Sequence, residues 1–219
     1  MLIKNLPVET LPHVTFQDPA LHVLNLMQDN RVIHLAVQHE GKFAGIISES
    51  ILHEVDEELT IGDLQHLLLS FSVNQDEHFL SAVTLAVSRD LSVVPITDAE
   101  GNYQGSLEAS LLLKYVAEFL HLQEPGGLIV VEVDPQHYSF SEISKIVETN
   151  DAQIIQLNTS KNAEKGTMTV TVRINKLEIS DIVASFQRYE YNVKYYSGEE
   201  LYENELKTNY ENLMNYLNI

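Results

Sequence analysis

The chain of 219 residues contains no cysteine and no tryptophan, and it has 13 lysines and arginines against 32 aspartates and glutamates. Without cysteine there is no disulfide scaffold, no thiol nucleophile and no zinc–thiolate or iron–sulfur site. The net charge of −19 argues against a nucleic-acid partner, because clustered lysines and arginines supply the attraction to a phosphate backbone.

Long apolar runs are also missing. The first seven residues lack the apolar core of a signal peptide, and no stretch approaches the ~18 apolar residues of a membrane span. We therefore expect no membrane partner and a cytoplasmic location. The apolar content of 44% is enough for buried cores, and the length predicts one large or two small domains.

An internal repeat fills the N-terminal half of the sequence. Each copy has an amphipathic helix, a short apolar strand, a turn, a second strand and a further helix. The offset between the copies is 59 residues and becomes 60 after one insertion, and the copies cover about residues 7–58 and 59–122. Two copies cannot form a solenoid, so we expect them to pack on each other about a pseudo-twofold axis. Asp18, followed by Pro19, is predicted to cap the first helix.

The pattern changes at Pro125–Gly127, where we predict a domain boundary and a hinge. Residues 1–124 carry a net charge of −13, and residues 125–219 carry −6. Residues 125–196 read as strand, helix, strand, strand, helix, strand, which is the ferredoxin-like order, with helices that begin at capping boxes at Ser139 and Asn175. Residues 197–219 predict an amphipathic helix, whose apolar side needs a surface in its own domain or in a partner chain. The predicted fold class is therefore α+β.

Patterns for catalysis and metal binding are not found. The nine histidines include no His-Glu-x-x-His motif and no pair four residues apart. Neither of the serine-nucleophile motifs Gly-x-Ser-x-Gly and Ser-x-x-Lys occurs, and there is no Walker A or dinucleotide-binding glycine pattern. We therefore expect no catalytic residue, no metal site and no enzymatic activity.

The repeat resembles the cystathionine-β-synthase-type (CBS) domain. The likeness rests on the helix pattern, on the apolar strands that end in Leu35–Val37 and Val94–Ile96, and on the Gly-x-x-x-Gly turns at Gly41 and Gly101. Residues 1–124 together resemble a CBS pair, residues 125–196 resemble an ACT-type domain, and the combination is similar to acetoin-utilisation regulatory proteins. The resemblance implies a non-catalytic regulatory protein that binds an adenosine-containing small molecule between the repeats.

The resemblance also implies a nucleotide site at the strand-to-helix junction. In the family, the sequence of this junction is Gly, two hydrophobic residues, Ser or Thr, any two residues and then Asp. The first copy keeps the hydroxyl as Ser48 and has Ile51 in place of the acid. The second copy has Glu108 in place of the hydroxyl and Leu111 in place of the acid. We therefore expect a ligand only in the first copy, lined by Thr15, His34, Leu35, Ala36 and Ser48.

Several alternatives stay open. Ser48 also suits the N-cap of the helix that follows it, and the protein also fits a scaffold whose nucleotide sites have been lost. The −13 charge and Glu108 favour a neutral or weakly charged ligand, or none. The first loop of the ACT-like part, Asp134–Tyr138, lacks the glycine usual in that family, which favours homodimer formation over amino-acid binding.

Overall fold

The computed structural model describes residues 1–7 and 11–198. The predicted helix at 197–219 therefore lies almost entirely outside the described residues. The chain divides after Val116 into two compact units, here called the repeat unit and the ferredoxin-like unit. The domain limits predicted from the sequence, with a boundary at 125, remain predictions.

The first copy of the repeat forms a small three-stranded sheet with two helices. Its elements are β1 (Val14–Thr15), α1 (Ala20–Asn30), β2 (His34–His39), β3 (Lys42–Ser48) and α2 (Glu49–Leu52). Strand β2 lies in the middle, parallel to β1 and antiparallel to β3. The short strand β1 was not predicted, because two residues are too few to show an alternating pattern.

The second copy has the same topology. Its elements are β4 (Val73–Asn74), α3 (Phe79–Arg89), β5 (Val93–Thr97), β6 (Tyr103–Glu108) and α4 (Ala109–Phe119). The sheet order β4-β5-β6 repeats β1-β2-β3, with the same parallel and antiparallel pairs. The structure thus confirms the internal repeat.

The two copies are joined by reciprocal hydrogen bonds at their β-turns. The Phe43 N–H donates to the Gly101 carbonyl at 3.1 Å, and the Tyr103 N–H donates to the Gly41 carbonyl at 3.3 Å. Gly41 and Gly101 occupy equivalent positions, and so do Phe43 and Tyr103. Such an exchange between equivalent residues is the signature of twofold packing, which agrees with the predicted pseudo-twofold axis.

The predicted N-cap of α1 is wrong. The helix begins at Ala20, and Pro19 is its cap residue without a side-chain hydrogen bond. The Asp18 carboxylate instead accepts the Thr15 N–H at 2.6 Å and the Thr15 hydroxyl at 2.8 Å. Asp63 repeats this arrangement with Thr60, and these hydrogen bonds hold the pKa of the Asp63 carboxyl below its usual value.

The ferredoxin-like unit has the predicted strand and helix order. Its elements are β7 (Gly127–Val133), α5 (Phe140–Glu148), β8 (Ile154–Asn162), β9 (Thr167–Ile174), α6 (Ser180–Arg188) and β10 (Asn192–Ser197). The strands form one antiparallel sheet in the order β10-β7-β9-β8, and both helices pack with alternate residues of β7 and β9 in a single core. The α+β fold class is therefore confirmed.

Of the two predicted capping boxes of this unit, only the serine half of one is present, because the Glu142 carboxylate accepts the Tyr191 hydroxyl at 2.6 Å. The Ser139 hydroxyl accepts the Glu142 N–H at 3.3 Å at the start of α5. The other prediction is wrong, because α6 begins at Ser180 and the Asn175 side chain accepts the Gln153 N–H at 2.8 Å instead. Among the described residues, no helix is long and apolar enough to cross a bilayer.

The glycines at the predicted hinge are required by close packing within this unit. A Cβ on Gly126 would overlap the carbonyl oxygen of Ile174, and one on Gly127 would overlap the Ile179 side chain. Gly127 is buried and is the first residue of β7. These contacts within the folded unit explain the two glycines, and the hinge stays a prediction.

Candidate functional site

The register of the first sheet places two of the predicted site residues side by side. His34 at the start of β2 is the Cα partner of Ser48 at the end of β3. The equivalent partners in the second copy are Val93 and Glu108. The two copies therefore share a backbone arrangement but present different side chains at it.

His34 and Ser48 line a cavity of about 310 Å³ between the two copies. The second copy contributes Arg89, the last residue of α3, and Asp90, which follows it. The volume is at the lower end of the range for small-molecule sites. The full lining is Ile33, His34, Ser48, Glu49, Ser50, Arg89 and Asp90.

His34 connects the two copies through its ring. The side chain is 8% exposed, and its Nδ1 accepts the Ser92 N–H at 3.2 Å and lies 3.2 Å from the Ser92 hydroxyl oxygen. That hydroxyl also accepts the Ile33 N–H at 3.1 Å. Burial lowers the pKa of His34, and the nearby Asp90 carboxylate offsets part of this effect. Because Nδ1 is an acceptor, the neutral ring carries its proton on Nε2.

Ser48 has two roles. Its hydroxyl caps α2 by accepting the Ile51 N–H at 3.4 Å, and it lies 3.0 Å from the Ser50 hydroxyl. The capping role agrees with the alternative interpretation of this residue. The same side chain also lines the cavity.

The other three predicted site residues do not line this cavity. Leu35 and Ala36 are buried, and Leu35 belongs to the hydrophobic core of the first copy. The Thr15 hydroxyl is held by the Asp18 carboxylate. A direct role for these residues in ligand binding stays a prediction.

Sequence reasoning missed Arg89 and Asp90. The Arg89 guanidinium lies over the Phe71 ring, 4.4 Å from its centroid, and it is the only cation among the described residues that line this cavity. Asp90 has the left-handed φ of 52° at the end of α3, and Arg31 has 54° at the equivalent end of α1. The internal repeat could have indicated them. A cavity between two packed copies is lined by residues of both copies, so residues of the second copy were to be expected beside His34 and Ser48.

The charges of the cavity are mixed. Glu49 and Asp90 contribute two acids, and Arg89 contributes one base. At the equivalent position of the second copy, the Glu108 carboxylate accepts a hydrogen bond from the Ser110 hydroxyl at 3.0 Å. No group of three or more histidines and carboxylates within the described ranges could hold a metal ion. The cavity is therefore suited to hydrogen bonding with a ligand of low net charge.

Comparison with known proteins agrees with this architecture. The family model for the CBS domain matches residues 3–58. A crystal structure of a CBS domain pair/ACT domain protein from Thermotoga maritima is 21% identical, with a TM-score of 0.50, and the match covers 55% of this chain and 99% of that chain. No curated protein matches the chain.

Two further solved structures are similar over about half of this chain. CBSX2 in complex with AMP is 16% identical, with a TM-score of 0.44, and the match covers 54% of this chain and 98% of that chain. A putative signal-transduction protein with CBS domains from Burkholderia ambifaria is 20% identical, with a TM-score of 0.42. That match covers 53% of this chain and 90% of the Burkholderia chain. The family model thus identifies a CBS domain at residues 3–58, and the repeated topology gives the repeat unit the fold of a CBS-domain pair, with a ferredoxin-like unit after it.

Proposed function

We propose that this protein is a non-catalytic regulator, in which the CBS pair binds a small adenosine-containing ligand and signals to the ACT-like unit. CBS domains are regulatory ligand-sensing modules, and proteins with CBS pairs are generally regulatory rather than catalytic. The observation that carries the proposal is the cavity between the two copies, with His34 and Ser48 on one side and Arg89 and Asp90 on the other.

The charges of the cavity favour one kind of adenosine ligand. One guanidinium faces two carboxylates, and the chain carries a net charge of −19. A triphosphate would add several negative charges close to Glu49 and Asp90, which costs free energy at short range. We therefore propose a neutral or weakly charged ligand, with adenosine bound more tightly than AMP and AMP more tightly than ATP.

A thermal-shift assay with adenosine, AMP, ADP, ATP, S-adenosylmethionine, NAD and a set of amino acids tests this proposal. A ligand present at 100 times its Kd stabilises the folded chain by about 2.7 kcal/mol. We expect a rise in Tm with adenosine or AMP and a smaller rise with ATP. An unchanged Tm with all of these compounds would contradict ligand binding.

Two serine variants separate ligand contact from helix capping. Ser48→Ala and Ser139→Ala each remove an N-cap hydroxyl, so each lowers the unliganded stability by about 1 kcal/mol. Only Ser48→Ala is expected to reduce the ligand-induced shift, because Ser139 caps a helix of the other unit. A larger reduction with Glu108→Ala than with Ser48→Ala would place the ligand in the cleft of the second copy.

The second candidate function is an interaction scaffold without a ligand. It is favoured by Ile51 in place of the acid of the family pattern and by the use of the Ser48 hydroxyl as a helix cap. A scaffold predicts no change of Tm with any small molecule, so the same assay decides between the two functions.

We also propose a homodimer, a cytoplasmic location and kinship with acetoin-utilisation regulators.

An apolar groove between α3 and α4 supports the dimer, because Val87 is 79% and Leu113 is 70% exposed there. Size-exclusion chromatography with light scattering tests the assembly. A mass near 50 kDa agrees with a dimer of this 24.8 kDa chain, and a mass near 25 kDa at micromolar concentration contradicts it.

A further inference from the structure

One titratable side chain is buried at the contact between the two copies of the repeat. All nine histidines are within the described residues, and His34 alone among them is buried. Its Nδ1 is the acceptor of the Ser92 N–H, and the two residues belong to different copies. Ser92 in turn holds the first copy through its hydroxyl, which accepts the Ile33 N–H.

We propose that His34 is a pH-sensitive contact between the two CBS repeats, which protonation of its ring weakens. A protonated imidazole carries a hydrogen on both nitrogens, so Nδ1 changes from an acceptor to a donor. The Ser92 N–H then faces another N–H and loses its acceptor. Ser92 is partly buried, and a peptide N–H that loses its acceptor in such surroundings costs free energy, so the two copies are expected to separate at this point.

The surroundings of His34 decide the direction of the effect. Three charged groups line the cavity beside His34. Arg89 is the last residue of α3, Asp90 follows it, and Glu49 is the first residue of α2. Of these groups, the Asp90 carboxylate favours the protonated ring. Burial is the largest influence and disfavours the charged ring, which places the pKa of His34 below its usual value.

The sign of the pH effect follows from this pKa. A histidine of the unfolded chain takes up its proton near pH 6.5, whereas His34 of the folded chain does so only at lower pH. The contribution of His34 to stability is therefore fully present above about pH 6.5. It is lost as the pH falls from about 6.5 through the lower pKa of the folded chain.

The test compares the wild type with His34→Asn in the absence of ligand. The amide oxygen of asparagine can take the place of Nδ1 as an acceptor, and it does not titrate. Between pH 7.5 and pH 5.5, we expect the Tm of the wild type to fall by roughly 4 °C more than that of the variant. Equal falls in the two proteins would overturn the proposal. Because no ligand is used, this result is independent of the ligand test above.

A measurement on the wild type keeps the proposal testable without the variant. Hydrogen exchange at the Ser92 amide, corrected for its intrinsic pH dependence, reports on the bond to His34. The Gln75 amide is the control, because it donates to the Thr97 carbonyl at 2.9 Å in the same copy. We expect protection of Ser92 to decrease below about pH 6.5 relative to Gln75. Parallel protection of the two amides across this range would overturn the proposal.

Discussion

Replacing Gly126 with alanine is expected to lower the free energy of unfolding of the ferredoxin-like unit by about 3 kcal/mol. The new Cβ would overlap the carbonyl oxygen of Ile174. That oxygen belongs to the backbone of β9, which pairs with both β7 and β8, so it cannot move without disturbing the sheet. Urea denaturation of the two proteins measures the difference.

Gly166→Ala is the control for this substitution. Gly166 has a left-handed φ of 65°, and a Cβ there meets no atom within 4 Å. Its replacement costs only the backbone strain of about 1 kcal/mol. A loss of unfolding free energy in Gly126→Ala no larger than that in Gly166→Ala would contradict the close packing of Gly126 against β9. A flexible hinge would then be the better explanation of this glycine.

Phe79→Ala is expected to destabilise the repeat unit by about 3–5 kcal/mol. Phe79 is the first residue of α3 and is 0% exposed, in a core with Ile3, Val73 and Ile96. The alanine leaves a cavity that the surrounding strands can fill only in part. Since α3 ends at Arg89, which lines the cavity between the two copies, the variant is also expected to weaken binding of the proposed ligand.

Leu21→Ala serves as the comparison for Phe79→Ala. Leu21 is 45% exposed on α1 and lies outside the groove between α3 and α4, so its truncation is expected to change the stability by no more than about 0.5 kcal/mol. Thermal unfolding of both variants measures the two effects. Similar losses of stability in both variants would contradict the position of Phe79 in the core.

The order of the helices and strands could be predicted from the sequence, because the spacing of apolar residues differs between helices and strands in both units. The Ser139 cap could be predicted because a serine followed by a glutamate three residues later is a local signal. Asp18 and Asn175 were assigned wrongly as caps. Each side chain has a competing backbone or hydroxyl partner outside its helix, Thr15 for Asp18 and Gln153 for Asn175.

The candidate site could be predicted only in part. His34 and Ser48 come together through the register of one hairpin, which a sequence pattern can indicate. Arg89 and Asp90 come from the other copy, and their approach depends on how the two copies pack. Leu35 and Ala36 lie on the predicted strand, but they are buried and do not line the cavity.

The two copies have diverged at equivalent positions. His34 and Ser48 of the first copy correspond to Val93 and Glu108 of the second. The first pair offers hydrogen-bonding groups of low charge, whereas the second pair offers a methyl surface and a carboxylate. This difference is the physical basis for proposing one ligand rather than two.

A crystal structure of the full chain grown with adenosine or AMP at saturating concentration tests whether a ligand of low charge binds between the two copies of the repeat unit. We expect electron density for the ligand in the cavity between Ser48 and Arg89, with His34 in its wall. An empty cavity at saturating ligand, or density only beside Glu108, would contradict this expectation.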